Sequence, residues 1–320
     1  MKRRGKIAIA VAAALCAALF LFFYFAGLLP TKQQLLRWLG GAPREHIDEN
    51  ALLEVTVLSV GQGDCILVRS DSYAALIDAG LADSYGAIAA ALDERGISRL
   101  DAVFVTHPHA DHMGALRSIL QNYAVENIYF ADIPAELTPT SAAYERLLEE
   151  IAAQDLPVSI LKTGDQLAVR VAQSEEDDKP VFAIFTVLWS GGGSDLNNCS
   201  MVLRLQLGKT AALFMADAER EVEQALLENR AEVAAQLLKV GHHGTKYATS
   251  AEFLAAVRPQ FAAVSCGVNN EYGYPKEETV RRIEKAGAQL LRTDTEGDIT
   301  FCFDGSFVWQ KGEADGEDAA

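Results

Sequence analysis

The sequence predicts an α/β fold, a four-layer αββα sandwich with an N-terminal transmembrane helix ahead of it. Three observations predict it. Two successive stretches of chain each run short apolar strands first and then alternate strand with helix, which suits two sheets packed face to face with helices outside. Half of the 320 residues are hydrophobic, enough to supply the core of one such domain. A cluster of histidines falls where a strand gives way to a helix, and strand ends of this kind are where α/β folds build their sites. No short-period repeat interrupts the pattern.

Residues 1–30 open with Lys2, Arg3, Arg4 and Lys6 and continue as an unbroken apolar run from Ile7 to Leu29. That length spans a bilayer, and the basic flank predicts a cytoplasmic N-terminus. The chain is then membrane-anchored with its globular part extracellular. A cleaved signal peptide, which would make it a secreted protein, is the alternative, but no small-x-small cleavage site follows the run. Residues 31–50 read as a linker, 51–310 as the globular domain, and the acidic 311–320 as a disordered tail.

Within the domain, Glu54 to Val60, Cys65 to Val68 and Ala74 to Asp78 read as strands, the first two joined by the turn Gly61-Gln62-Gly63-Asp64. Ser84 to Arg95 is an amphipathic helix stopped by Gly96. Strand 101–105, a helix over Met113 to Leu120, a strand over Val125 to Phe130 and a helix over Ala142 to Ala153 complete the first stretch. The charged run at 171–180 reads as a solvated excursion. Strands follow at 181–188, 200–207 and 210–215, the first two separated by the flexible Ser190-Gly191-Gly192-Gly193-Ser194. Helices at Ala218 to Glu228, Ser250 to Val257 and Glu277 to Ala286 then alternate with strands at Leu237 to Val240 and Phe261 to Ser265. Short strands over 289–310 close the domain.

The formal net charge is −16. Setting aside the six basic residues of positions 1–40 leaves 44 acidic against 22 basic residues, a charge near −22. Such a surface repels polyanions at long range and counts against a large nucleic-acid footprint. The five cysteines show no ligand spacing, so buried free thiols are expected.

Five of the six histidines fall in two places, His107, His109 and His112 in one and His242 and His243 in the other. In Thr106-His107-Pro108-His109-Ala110-Asp111-His112, His107 and His109 are two apart in extended backbone and converge on one point. Pro108 keeps His107 out of the helical region. Asp111 opens the helix, and it and His112 project from its first turn toward a neighbouring point. Imidazole and carboxylate at this density suit metal ions. Asp217, in Met215-Ala216-Asp217, ends an apolar strand and reads either as a helix cap or as a further ligand. Gly241-His242-His243-Gly244 ends another, its glycines permitting close approach.

His107-x-His109-x-Asp111-His112 resembles the signature of the metallo-β-lactamase superfamily. Together with Val60 to Asp64, Leu76-Ile77-Asp78-Ala79-Gly80, Met215-Ala216-Asp217 and Gly241 to Gly244, it resembles the ComEC-like branch, named for the hydrolase domain of a DNA-uptake channel protein. The resemblance runs from about Glu54 to Phe303. It implies two divalent ions, zinc or manganese. His107, His109 and Asp217 would hold the first, and Asp111, His112, Asp217 and His242 the second, with Asp217 bridging. Asp64 and Asp78 would support the ligands from behind. Asp111 would also orient the water, His243 would donate to the substrate oxyanion or leaving group, and Asn198, Asn270, Tyr272 and Tyr274 would meet the substrate. Two positions depart from the family. No histidine occurs between Met113 and Gly241, where members usually supply one, so the first ion is expected to be weakly held or completed by water or an oxygen ligand. In that place stands Asp195 to Ser200, which resembles the branch's own version of the segment. Tyr274 stands where relatives often have histidine. The chain reads as the hydrolase module without the channel.

The resemblance implies a phosphodiesterase or nuclease acting outside the cytoplasm through a metal-activated hydroxide, on single-stranded DNA or a small phosphodiester. The acidity favours a short substrate. Two alternatives stand beside it, hydrolysis of a non-phosphate ester, thioester or lactone, and a catalytically silent metal-binding module. No protein partner can be inferred.

Overall fold

The computed structural model describes residues 46–174 and 178–312. The apolar run from Ile7 to Leu29, most of the linker and most of the acidic tail lie outside them. Among the described residues no helix is long and apolar enough to cross a membrane.

The first stretch forms β1 (Leu53–Val57), β2 (Ile66–Arg69), β3 (Ala74–Ile77), α1 (Tyr85–Glu94), β4 (Arg99–Leu100), β5 (Ala102–Val105), α2 (Ala110–Met113), α3 (Leu116–Asn122), β6 (Ala124–Val125), β7 (Ile128–Ala131), α4 (Ala142–Ala153) and β8 (Val158–Leu161). The second forms β9 (Gln166–Gln173), β10 (Pro180–Trp189), β11 (Val202–Leu207), β12 (Thr210–Phe214), α5 (Arg220–Glu228), β13 (Leu237–Lys239), α6 (Ala251–Val257), β14 (Phe261–Val264), α7 (Glu277–Lys285) and β15 (Gln289–Arg292). A short α8 (Thr293–Glu296) leads into β16 (Ile299–Phe303) and β17 (Val308–Gln310). One large sheet has the order β17-β16-β1-β2-β3-β5-β7-β8 and a second β15-β14-β13-β12-β11-β10-β9, while β4 pairs with β6 in a separate two-stranded sheet. Each begins as an antiparallel meander and continues as parallel strands, from β3 onward in the first and from β12 onward in the second.

Strand parity sorts the core into layers. In β5, Ala102 and Phe104 point into the cluster between the sheets, while Val103 and Val105 point to the helices of the first half. In β12, Ala212 and Phe214 share that central cluster, while Ala211 and Leu213 meet the helices of the second half. Period-two alternation on strands buried on both faces therefore yields three apolar layers and four structural ones. The helices supply matching faces: Leu147 and Ile151 of α4 are buried one turn apart behind a Ser141 cap that accepts from the Tyr144 amide.

Expectation and structure differ in three places. β8 and β9 are absent from the sequence reading because both lie at sheet edges, where most of their residues stay exposed and no buried run marks them. Val171–Gln173 accordingly ends β9 instead of opening an excursion. The helix expected to open at Asp111 and run on to Leu120 begins at Ala110 and is interrupted at Gly114 before α3 resumes.

One buried ion cluster pins the first sheet's closing strands. Glu54 of β1 accepts from Arg69 Nε at 2.8 Å, Lys311 Nζ at 2.8 Å and the Asp48 amide at 3.0 Å. Burial works to raise this carboxyl, but Lys311, Arg69 and the amide outweigh it and hold it below the ordinary 4.5. A depressed carboxylate stabilises the fold fully above its unfolded value and loses that contribution as pH falls through the folded one. We therefore expect Glu54→Gln to cost about 3 kcal/mol at neutral pH. The deficit should shrink below pH 4.5, as thermal melts on either side of that pH would show.

Candidate metal centre

The parallel strands of both sheets end at one edge, and the predicted ligands collect there. Asp78 follows β3, the histidine stretch follows β5, Asp217 follows β12, and His242 and His243 follow β13. Left-handed backbone at Asp78, Ala216, His242 and His243 turns each segment sharply at its strand end. Non-glycine residues in that region are strained, and such strain clusters at functional sites. Gly63 brings the turn of Asp64 against the histidine stretch, since a Cβ there would stand 2.5 Å from the Asp111 carbonyl. That same carbonyl accepts from the Asp64 amide.

Asp217, 2% exposed, lies at the centre. It does not cap α5, whose N-cap position is Glu219. Its Oδ1 is 3.2 Å from His112 Nε2 and 3.5 Å from His243 Nε2, and Asp111 Oδ2 is 3.5 Å from that same His243 nitrogen. Its Oδ2 is 3.8 Å from His107 Nε2 and 3.6 Å from His242 Nε2. His107 Nε2 and His109 Nδ1 lie 2.9 Å apart. Asp111, His112, Asp217 and His243 place one atom each within 4.8 Å of one another, and so do His107, His109 and Asp217. Three inward-facing atoms, His112 Nε2, His243 Nε2 and Asp217 Oδ1, have no hydrogen-bond partner although they are buried. Orphaned donors and acceptors are costly unless an ion completes them. Imidazole and carboxylate together suit zinc or manganese.

The outer nitrogens are held from behind, as metal-binding imidazoles require. His112 Nδ1 meets Asp78 Oδ2 at 2.7 Å, His242 Nδ1 meets Glu219 Oε1 at 2.9 Å, and His243 Nδ1 meets the Ser265 carbonyl at 3.1 Å. His107 Nδ1 lies 3.3 Å from both Thr106 Oγ1 and Ser200 Oγ. Asp78 also accepts from the Thr106 amide and hydroxyl, so it fixes the histidine stretch as well as one ring.

The sequence pattern of the Metallo-beta-lactamase superfamily matches residues 58–268, about two thirds of the chain. The chain belongs to the metallo-beta-lactamase superfamily. Among curated proteins it is 28% identical to the ComE operon protein 3 of Bacillus subtilis (strain 168), over 78% of this chain and 33% of that one. It is 29% identical to the competence protein ComA of Neisseria gonorrhoeae, over 90% of this chain and 38% of that one. It thus sits in the ComEC-like branch and spans about a third of the length of these relatives. A mutant CmlA beta-hydroxylase superposes with a TM-score of 0.51 at 14% identity, over 81% of this chain and 55% of that one, which shows the shared fold.

The electrostatics suit a superfamily metal centre. Burial and His112 push His107 well below its ordinary value, leaving it a neutral ligand. Burial alone would do the same to His112 and His243, yet Asp217 and Asp78 raise the first, and Asp217, Asp111 and Asp64 raise the second. His243 and His112 in turn hold Asp111 at about 2 against the opposing effect of burial. The pocket thus draws positive charge to its centre, where divalent ions would replace protons.

The site modifies several superfamily expectations. His243, expected as a substrate donor, has one nitrogen on Ser265 and the other among the ligands, and is 2% exposed. His242, expected beside Asp111 and His112, faces the other oxygen of Asp217. Asn198 is buried and meets no open surface; its amide bonds Asp195 and the Glu219 backbone. Asn270 spends its amide on Gly267 and Tyr274 and shapes their turn. The Asp195 to Ser200 segment presents Ser200 behind the His107 ring, where it orients the ring from outside the ligand set. Tyr274 lies parallel to the His243 ring at 6.5 Å, and Tyr272 stacks on the Tyr274 ring at 5.4 Å. Asp64 lies behind His243, 3.5 Å from its Nδ1, and pairs with Lys239.

Asp78→Asn should weaken one bound manganese roughly 10–100-fold, the usual effect of removing a carboxylate behind a ligand. Calorimetric titration with manganese would show it.

Proposed function

We propose that this superfamily hydrolase is a metal-dependent phosphodiesterase of the ComEC-like branch, cleaving single-stranded DNA or a small phosphodiester. The observation that carries the reading is Asp217, each of whose oxygens faces its own set of imidazoles. Such a bridging carboxylate is what a pair of divalent ions requires. Bound there, the ions would activate water near neutral pH and take up charge developing on a phosphoryl oxygen. The chain's own residues position the rest. Asp111, 30% exposed at its side chain and held ionised, offers an oxygen at the open side of the centre to orient water. Tyr272, 59% exposed and stacked on Tyr274, offers a face on which a base can lie. Lys276 sits 5.2 Å from the Tyr274 ring and supplies a cation beside that platform. The competence proteins among its relatives support a nucleic-acid substrate, and the overall acidity supports a short one. We place the activity outside the cytoplasm, behind a membrane anchor formed by residues 1–30, on the strength of the apolar run and its basic flank.

A second reading, ester or lactone hydrolysis, is favoured by one observation. An apolar pocket of about 230 Å³ lined by Phe130, Ile133, Tyr144 and Ile160 shares His107 and Pro108 with the centre. A panel of aryl phosphodiesters, aryl esters and lactones, each with manganese, zinc or chelator, separates the two. The proposal expects turnover of the phosphodiester that chelator abolishes. Turnover of esters or lactones alone would sink it.

A further inference from the structure

We infer that the adjacent histidines His242 and His243 serve different ions, and that His242 replaces the mid-chain histidine this chain lacks. The inference rests on the two-ion reading of the centre and assigns its ligands. His243 Nε2 is 3.5 Å from Asp217 Oδ1 and 3.5 Å from Asp111, on the side of His112. His242 Nε2 is 3.6 Å from Asp217 Oδ2, the oxygen that His107 also approaches. The backbone makes this division. In an extended strand, neighbouring side chains point to opposite faces and could not both reach one carboxylate. Here both residues are left-handed, His242 at φ 46° and His243 at φ 53°, and their rings fan out at 68° with centroids 6.1 Å apart. Gly244 continues the bend at φ 79°, where a Cβ would stand 2.6 Å from Pro275.

The surroundings of His242 are those of a ligand. Its Nδ1 lies against the Glu219 carboxylate, as His112 lies against Asp78, which turns the Nε2 lone pair inward. Glu219 is itself positioned, its amide donating to Asn198 Oδ1. Two polar side chains of the segment that stands in place of the absent histidine are committed elsewhere. Of the Asp195 to Ser200 segment, Asn198 is committed to Asp195 and Glu219, and Ser200 stands on the far nitrogen of His107. The His242 side chain keeps 20% exposure, and its Nε2 stands on the Asp217 oxygen that His107 also approaches. One set then comprises His107, His109, Asp217 and His242, and the other Asp111, His112, Asp217 and His243.

Manganese binding by the full chain tests this without any substrate. Stoichiometry comes from calorimetry, and electron paramagnetic resonance separates coupled from isolated ions. Wild type should bind two coupled ions, and His242→Ala and His243→Ala one isolated ion each. The double variant His107→Ala/His242→Ala should still bind one, because both changes strike the same ion. His242→Ala/His243→Ala should bind none. Glu219→Gln, which leaves the ligands in place, should weaken one ion roughly 10–100-fold and spare the other. This variant and circular dichroism guard against misfolding as the cause. Two full-affinity ions in His242→Ala, or a single ion in wild type, would overturn the assignment. Two ions bound as assigned with no phosphodiester turnover would instead refute the proposed function alone.

Discussion

Asp217→Ala is expected to empty both metal sites and abolish hydrolysis. Removing one charge-stabilising donor from an active site commonly costs ~10²–10³ in rate. Asp217 serves two imidazole sets, so the fall should exceed ~10³. The protein should remain folded, since β12 and α5 are held by the buried residues Leu213, Phe214, Val222 and Leu226. Initial rates with saturating manganese, beside metal content by mass spectrometry, check both halves. Retention of two ions would remove Asp217 from the bridging position.

Lys239→Met should have the largest effect on stability. Lys239 lies on β13 with no exposed surface, its ammonium 2.8 Å from Asp64 Oδ2 and 3.1 Å from the Val240 carbonyl. Breaking a buried pair leaves an uncompensated charge and costs about 3–5 kcal/mol, a melting temperature lower by roughly 10 °C. The effect should reach the metal centre, because the Asp64 turn donates to the Asp111 carbonyl and its carboxylate stands behind His243. Adding Asp64→Asn should restore much of the lost stability, since removing both partners leaves no orphan charge. Additive losses in the double variant would show that the pair is not coupled.

That pairing marks where sequence reading stops. The partners are 175 positions apart and join the two halves, and no local pattern announces a lysine that will be buried. Local chemistry was legible. The strand before His107, the proline that keeps it extended and a helix opening close to Asp111 follow from side-chain pattern, and the four-layer architecture follows from two runs of strands before helices. The ligand types were legible for the same reason, since histidine is scarce and clustered. Which histidine faces which oxygen was not. It depends on the left-handed backbone of His242 and His243, a conformation that residue type does not announce outside glycine. Glu219, Ser200 and Ser265 were missed because hydroxyls, carbonyls and carboxylates of loops look alike until the fold sets them against a ring. Edge strands β8 and β9, and the return of β16 to pair with β1, depend on tertiary neighbours.

The central claim is that two imidazole–carboxylate sets sharing Asp217 cleave a phosphodiester. Its most direct test is cleavage of end-labelled single-stranded DNA by the purified chain with manganese, with zinc and with chelator, beside Asp111→Ala and Asp217→Ala. The account predicts metal-dependent fragments that vanish with chelator and in both variants. Intact DNA with both metal sites filled, or cleavage that survives both substitutions, would contradict it.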